Sequence, residues 1–243
     1  MDPTWVFVVG TYRTGSTTQY LLTEAIVERT ESGIGIGYEK ESKLIEFDKP
    51  ENGRYVVAKV FKFLPETSEQ CKRFLKEGRL KVVGTTRDPR DIAVSMQERS
   101  RDLGNDNWDF RTTVTRDFPI WLGQFERWAN LEPELVLVTR FEDMIVDLEK
   151  EITRIAQHLD IKVSEDLVYR IAADFTLPAQ TLRKRRFFER KDRSKGREHP
   201  MLPSLPGVKF GTSGHWRTWL TSVEARLVQK HARAYMIRWS YPL

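Results

Sequence analysis

Four short apolar runs punctuate the chain: Trp5–Gly10 (WVFVVG), Tyr55–Phe61 (YVVAKVF), Leu80–Thr85 (LKVVGT) and Leu135–Thr139 (LVLVT). They are too brief for helices, rich in β-branched residues and nearly free of polar alternation, the pattern of strands buried on both faces. Between and after them the apolar spacing becomes helical, over Gln19–Arg29, near Thr67–Glu77, and over Phe118–Asn130, Glu142–Leu159, Glu165–Ala173 and Thr221–Arg238. A further helix opens at Asp88-Pro89-Arg90-Asp91, where Asp88 can cap, proline suits the first turn and Asp91 favours the dipole. Strands alternating with helices predict an α/β fold, a mainly parallel sheet with helices on both faces. After Thr176 the periodicity fails for about forty-five residues, a length that in a compact domain points to function or disorder.

The 243 residues suit one such domain, and 40% hydrophobic with 11% aromatic content is enough for a sizeable core. A lone cysteine, Cys71, excludes an internal disulfide framework and a cysteine-based zinc site. The four histidines, 158, 199, 215 and 231, lack metal-pair spacing, so no metal is expected. No apolar run is long enough to span a bilayer and no signal-peptide pattern opens the chain, which leads us to expect a cytoplasmic protein with no membrane partner. The net charge of +5 is uneven. Nine basic residues between Arg183 and Arg197 face only Glu189 and Asp192, so that segment carries +7 and the remainder −2. With Phe187 and Phe188 inside it, the run suits a nucleic-acid patch, a solvated loop, or a lid that attracts a small polyanion.

Two motifs carry candidate chemistry. Gly10-Thr11-Tyr12-Arg13-Thr14-Gly15-Ser16-Thr17-Thr18 joins the first strand to the first helix, where backbone N–H groups and the helix dipole can hold a phosphate. Gly10, Gly15 and Thr17 are in register with GxxxxGK[ST], but Ser16 stands in the place of the lysine that reaches the β- and γ-phosphates, which weakens an NTPase reading. Arg13 puts a permanent cation inside the loop instead. The second motif, Lys81–Ser95 (KVVGTTRDPRDIAVS), puts Arg87 at a strand's carboxyl end and Ser95 in the second turn of the next helix. Ligands of open α/β sheets bind at that edge, and an arginine with a hydroxyl suits a second phosphate.

Together these segments resemble the cytosolic-type sulfotransferases, which use 3′-phosphoadenosine 5′-phosphosulfate (PAPS) and have a P-loop-like fold. Residues 11–18 are similar to that family's TYPKSGTT loop. Arg13 falls on its lysine, Thr14 on its serine, Gly15 on its glycine, and Ser16 and Thr17 on its two threonines, with Thr18 next. Arg87 and Ser95 fall on the pair that grips the 3′-phosphate. Lys209-Phe210-Gly211-Thr212-Ser213-Gly214-His215-Trp216-Arg217 resembles RKGxxGxWK, and Phe141-Glu142-Asp143-Met144 resembles YEDL. The landmarks keep the family's order over roughly residues 5 to 225. The resemblance implies one sulfotransferase-like domain over 1–243, with the basic segment at about 177–215 as a lid, Lys209 and the Gly211 amide on the 3′-phosphate, and Phe175 against adenine. It implies transfer of a sulfuryl group to a hydroxyl or amine of a small-molecule acceptor, without a metal. A nucleic-acid partner then becomes secondary, and a nucleotide or small-molecule kinase is the alternative.

The departures matter as much. In the family the catalytic histidine lies in KTHLP; here Lys59-Val60-Phe61 puts phenylalanine in its place, while Lys59 is kept. Some branches take a glutamate from the segment between the first two strands, which makes Glu41 and Glu39 (GYEKESKLIEF) the candidates for general base. Tyr12, Tyr38, Phe61, Phe63 and Trp108 would suit an apolar acceptor. Arg217 and Thr221 match the family's KxxxTVxxxE dimer motif but Arg226 replaces its glutamate, leaving a homo-oligomer open.

Overall fold

A computed structural model describes residues 2–38, 53–60, 64–105, 108–176, 179 and 213–243 of the protein. Five parallel strands form one sheet in the order β2-β3-β1-β4-β5. They are β1 (Thr4–Gly10), β2 (Gly33–Tyr38), β3 (Tyr55–Lys59), β4 (Leu80–Thr86) and β5 (Val136–Arg140). The helices are α1 (Ser16–Arg29), α2 (Glu69–Lys76), α3 (Pro89–Asp102), α4 (Phe118–Ala129), α5 (Phe141–Val146), α6 (Leu148–His158), α7 (Glu165–Asp174), α8 (Trp216–Trp219) and α9 (Ser222–Arg238). A π-helical turn at Thr113–Asp117 leads into α4. The parallel α/β architecture expected from the apolar runs is the one observed.

Strand alternation divides the core. Trp5, Phe7 and Val9 of β1 face a cluster completed by α2, α3, α4 and α9, whereas Val6 and Val8 face one built with α1, α5, α6 and α7. Both faces of β1 are therefore sealed, which is why its sequence shows no polar alternation. Each fully buried side chain such as Phe7 or Val8 contributes about 1.5–3 kcal/mol of transfer free energy.

Three expectations need correction. The strand β2 was not anticipated, because GIGIGY lacks a strand's usual composition. Its glycines are imposed by neighbours: a Cβ on Gly33 would sit 2.2 Å from the Tyr55 carbonyl oxygen, and one on Gly35 2.2 Å from Glu24 Oε1. The helix expected over 142–159 is two helices. Asp147 breaks it at φ −141° and caps α6 by accepting from the Lys150 amide at 2.9 Å. Finally, α1 begins at Ser16 rather than Gln19, which places residues 16–18 in its first turn. The anticipated Asp88 cap is present, accepting from the Arg90 amide at 2.9 Å. Among the described residues no helix is long and apolar enough to cross a membrane.

Candidate functional site

The strand order brings the candidate residues to one edge. Because β1 pairs with both β3 and β4, Val8 lies opposite Lys59 and Gly10 opposite Thr85. The loop after β1, the end of β3 and the turn after β4 are thus neighbours at the carboxyl side of the sheet, where open α/β sheets bind ligands.

The loop is wound tightly over its own backbone. A Cβ on Gly10 would lie 2.7 Å from Thr14 Oγ1, and the buried Thr14 hydroxyl donates to the Thr11 carbonyl at 3.0 Å. Arg13 and Gly15 both adopt positive φ, 65° and 89°. Gly15 is the N-cap of α1, so no side chain caps that helix, and its first turn holds no acidic residue. The first-turn amides and the positive end of the dipole are left to a ligand oxygen. Ser16, at the Walker lysine's position, is buried, and its Cβ would lie 2.9 Å from a Cβ on Gly10. Thr17 and Thr18 follow within the same turn, half-buried.

Three cations surround this turn. Arg13 Nε donates to Ser95 Oγ at 2.9 Å, Arg87 Nη1 donates to the Arg13 carbonyl at 3.0 Å, and Lys59 Nζ donates to Thr17 Oγ1 at 2.7 Å. Arg87 also stacks over the Phe141 ring at 4.5 Å. The two sequence motifs are therefore in direct contact. Burial, aided by Arg99 and Arg87 and against the pull of Glu98 and Asp102, lowers the Arg13 pKa to about 10. Burial and Arg13 lower Lys59 to about 8, and burial also lowers Arg87, against the pull of Asp91, Glu142 and Asp88. Concentrated, desolvated positive charge beside uncapped amides is an anion site.

Beside the sheet edge lies a small cleft of mixed polar and apolar lining, formed by Gly10, Thr11, Val60, Trp121, Gln124 and Phe125 among others. Tyr12, 36% exposed, meets Trp121 edge-on at 4.6 Å, and Tyr38 at the end of β2 is equally exposed. Phe175 is 5% exposed within the core cluster on the α1 face. Glu39, Glu41, Phe61, Phe63, Lys209, Gly211 and the basic run 183–197 lie outside the described residues. Thr221, singled out for a dimer motif, forms a capping box with Glu224 at the start of α9.

The profile of the sulfotransferase domain matches residues 3–240. The chain belongs to the sulfotransferase family. Solved structures share the fold of this sulfotransferase domain. Retinol dehydratase in complex with androsterone and inactive cofactor PAP superimposes at TM-score 0.69 with 19% identity, over 97% of this chain and 81% of that one. A mouse sulfotransferase complexed with PAP gives 0.64 with 20% identity, over 97% and 85%. A sulfotransferase from Alicyclobacillus acidocaldarius gives 0.52 with 15% identity, over 78% and 92%. Luciferin sulfotransferase of Photinus pyralis is 24% identical over 146 residues, which span 56% of this chain and 39% of that protein.

Several residues at the edge escaped the sequence reading. Asp91 was read as a dipole partner only, yet its carboxylate accepts from the Gly214 and Trp216 amides at 2.7 and 3.0 Å. Glu142 accepts from the Asp88 amide and from Tyr241 at 3.0 and 3.1 Å. Tyr241 lies far from either motif in sequence, and nothing in its neighbourhood signals the contact.

Proposed function

We propose that this chain transfers the sulfuryl group of PAPS to a hydroxyl or amine of a small-molecule acceptor. The observation that carries the reading is the Arg13–Ser95 and Arg87–Arg13 contact, which joins a helix-terminal anion cradle to a second arginine-and-hydroxyl pair. A nucleotide bearing phosphate at both its 5′ and 3′ ends asks for two such adjoining sites. The cradle fits: Gly10 and Gly15 leave backbone exposed where side chains would fill it, and Arg13, Arg87 and Lys59 stand around it, with Glu98 and Asp102 also acting on Arg13.

In this reading the α1 amides, Thr14, Gly15, Ser16, Thr17 and Thr18 hold the 5′ end, and Arg87 and Ser95 hold the 3′-phosphate. PAPS supplies an activated sulfuryl group on a phosphate leaving group. Arg13 and Lys59 stand where negative charge grows as that group leaves, and fixed cations in a desolvated site are the efficient way to meet it. Lys59, with its pKa near 8, is mostly protonated at neutral pH. The exposed Tyr12, edge-on to Trp121, and Tyr38 are the aromatic surface offered to an acceptor at this end of the sheet. The acceptor's proton goes to a carboxylate, Glu41 with Glu39 as the second candidate, since the family's histidine position is Phe61. Lys209 and Gly211 are carried as nucleotide contacts by their motif positions, whereas Phe175, packed in the core at 5% exposed, presents little ring surface to adenine.

Thermal denaturation with adenosine 3′,5′-diphosphate (PAP), AMP, ADP and ATP tests the reading, because a ligand bound only by the native state raises the melting temperature. PAP is expected to give the largest shift, independent of magnesium, and radiolabelled PAPS is expected to label an acceptor pool. A magnesium-dependent ATP shift larger than that of PAP would favour the kinase instead.

A further inference from the structure

The turn that presents Arg87 is gripped on both sides by the far end of the chain. On one side of Arg87, Thr86 Oγ1 lies 3.1 Å from the Tyr241 hydroxyl. That hydroxyl is also 3.1 Å from Glu142 Oε2, while Glu142 Oε1 accepts from the amide of Asp88 on the other side at 3.0 Å. One carboxylate thus ties residues 86 and 88 together, directly and through Tyr241. Arg90 supplies the second hold. It is among the most deeply buried side chains, grips Asp88 with Nε and Nη2 at 2.9 and 2.7 Å, donates to the Pro242 carbonyl at 2.7 Å and stacks on Trp216 at 3.9 Å. Tyr241 itself is 4% exposed and lies parallel to Tyr235, ring centroids 6.2 Å apart.

Resting on the function proposed above, we infer that Tyr241 is a positioning residue for 3′-phosphate recognition: with Glu142 it holds the Thr86 side chain on one side of Arg87 and the Asp88 amide on the other, and so aims the guanidinium. Arginine has a long, rotamer-rich side chain, and a phosphate contact made from a loosely held backbone forfeits much of its value in ordering. The arrangement here removes that freedom at residues 86 and 88 before a ligand arrives. None of these groups needs to touch the nucleotide.

Tyr241→Phe deletes one hydroxyl and keeps the ring. PAP and AMP affinities are measured by calorimetry for wild type, Tyr241→Phe, Arg87→Ala and the double variant, with far-UV circular dichroism to confirm folding. The expected result is about a ten- to thirty-fold loss for PAP in Tyr241→Phe, within the range of supporting-residue effects at metal sites, while AMP changes less than about two-fold. In the Arg87→Ala background the same change should cost PAP nothing further, since additivity fails for groups that act through one another. Thr86→Val, which removes the other hydroxyl, should behave alike and serves where Tyr241→Phe does not fold. Equal weakening of PAP and AMP, no weakening of PAP, or a full additional loss on top of Arg87→Ala would each overturn the positioning role. Wild-type protein with no preference for PAP over AMP would instead overturn the two-phosphate reading on which it rests.

Discussion

Replacing Lys59 by methionine should make the ligand-free protein more stable and the nucleotide site worse. Desolvation of the Lys59 ammonium and repulsion from Arg13 lower its pKa from 10.5 to about 8, while its hydrogen bond goes to the Thr17 hydroxyl. A difference of that size corresponds to roughly 3 kcal/mol of unfavourable charging in the folded state at neutral pH. Methionine keeps the length and removes the charge, but gives up the Thr17 contact, at about 1 kcal/mol. The net gain is about 2 kcal/mol, or roughly 4–8 °C in melting temperature for a chain of this size. The pH dependence follows from the same shift. Folded Lys59 has the lower pKa, so between about 8 and 10.5 the unfolded chain holds more protons and wild-type stability rises with pH. The advantage of Lys59→Met should be full below about pH 8, shrink as the pH rises, and reverse by about 1 kcal/mol above roughly 10.5, where only the lost Thr17 contact remains. Paired thermal melts across about pH 7 to 9.5 cancel the titrating groups that do not interact with Lys59 and stay below the pKa of its neighbour Arg13, about 10. With PAP present the order should reverse, since the variant lacks a cation the anion needs. A variant less stable than wild type at pH 7, or an advantage flat with pH, would refute the reasoning.

Arg87→Ala should weaken PAP by about ten- to a hundred-fold, the range of a lost charge-assisted contact, and leave AMP nearly unchanged; calorimetry with the two ligands decides, and equal losses would put Arg87 elsewhere. Gly15→Ala forces a side chain into φ 89° with its Cβ 2.4 Å from Phe141 Cδ2, so urea melts should show a loss of about 2 kcal/mol or more together with loss of PAP binding. Stability within about 0.5 kcal/mol of wild type would mean the loop relaxes freely. Glu41→Gln, or Glu39→Gln should the second candidate serve, is expected to lower sulfuryl transfer by about 10²–10⁴-fold with PAP affinity intact; near-full turnover in both variants removes the carboxylate base.

What the sequence made legible follows from how local each signal is. The strands β1, β3 and β4 are sealed on both faces, so their composition alone betrays them. The strand β2 is shaped by Tyr55 and Glu24 pressing on Gly33 and Gly35, and a strand whose residues are chosen by neighbours elsewhere in the chain leaves no propensity to read. Asp147 could have been taken as a cap from residue type, but the apolar periodicity runs through it. At the site, Arg13, Arg87 and Ser95 were singled out from two separate segments, and the sheet order, which a linear pattern does not encode, puts them in contact. Lys59 was kept for its motif; its hydrogen bond to Thr17 and its lowered pKa arise only when β3 lies beside β1. Tyr241 and Pro242 carried no local signal, because their role consists entirely of contacts with residues roughly a hundred or more positions away.

The described arginines and lysines fall into two kinds, and the division explains how one fold holds both a stable core and a reactive anion site. Arg90 is buried with its charge answered by Asp88, and Arg154 answers Glu151 at 2.8 Å beneath β5. Such pairs satisfy one another and ask for nothing from solvent or ligand, which suits them to hold α3 and α6 in place. Arg13 and Lys59 are treated differently. Their described hydrogen bonds go to the hydroxyls of Ser95 and Thr17, and repulsion from a neighbouring cation contributes to lowering each pKa. Hydroxyls orient a cation without neutralising it, and the pull of Glu98 and Asp102 on Arg13 offsets its cost only in part. The free site therefore holds an electrostatic cost that a dianionic phosphate relieves, and the nearer negative charge comes to the loop, the larger the relief. Under the function proposed above, a leaving phosphate gains charge as transfer proceeds, so these incompletely balanced cations would favour the transition state over the bound ground state. Supplying a carboxylate partner to Lys59 would quiet the site and stabilise the fold, and would remove the reason for placing the lysine there.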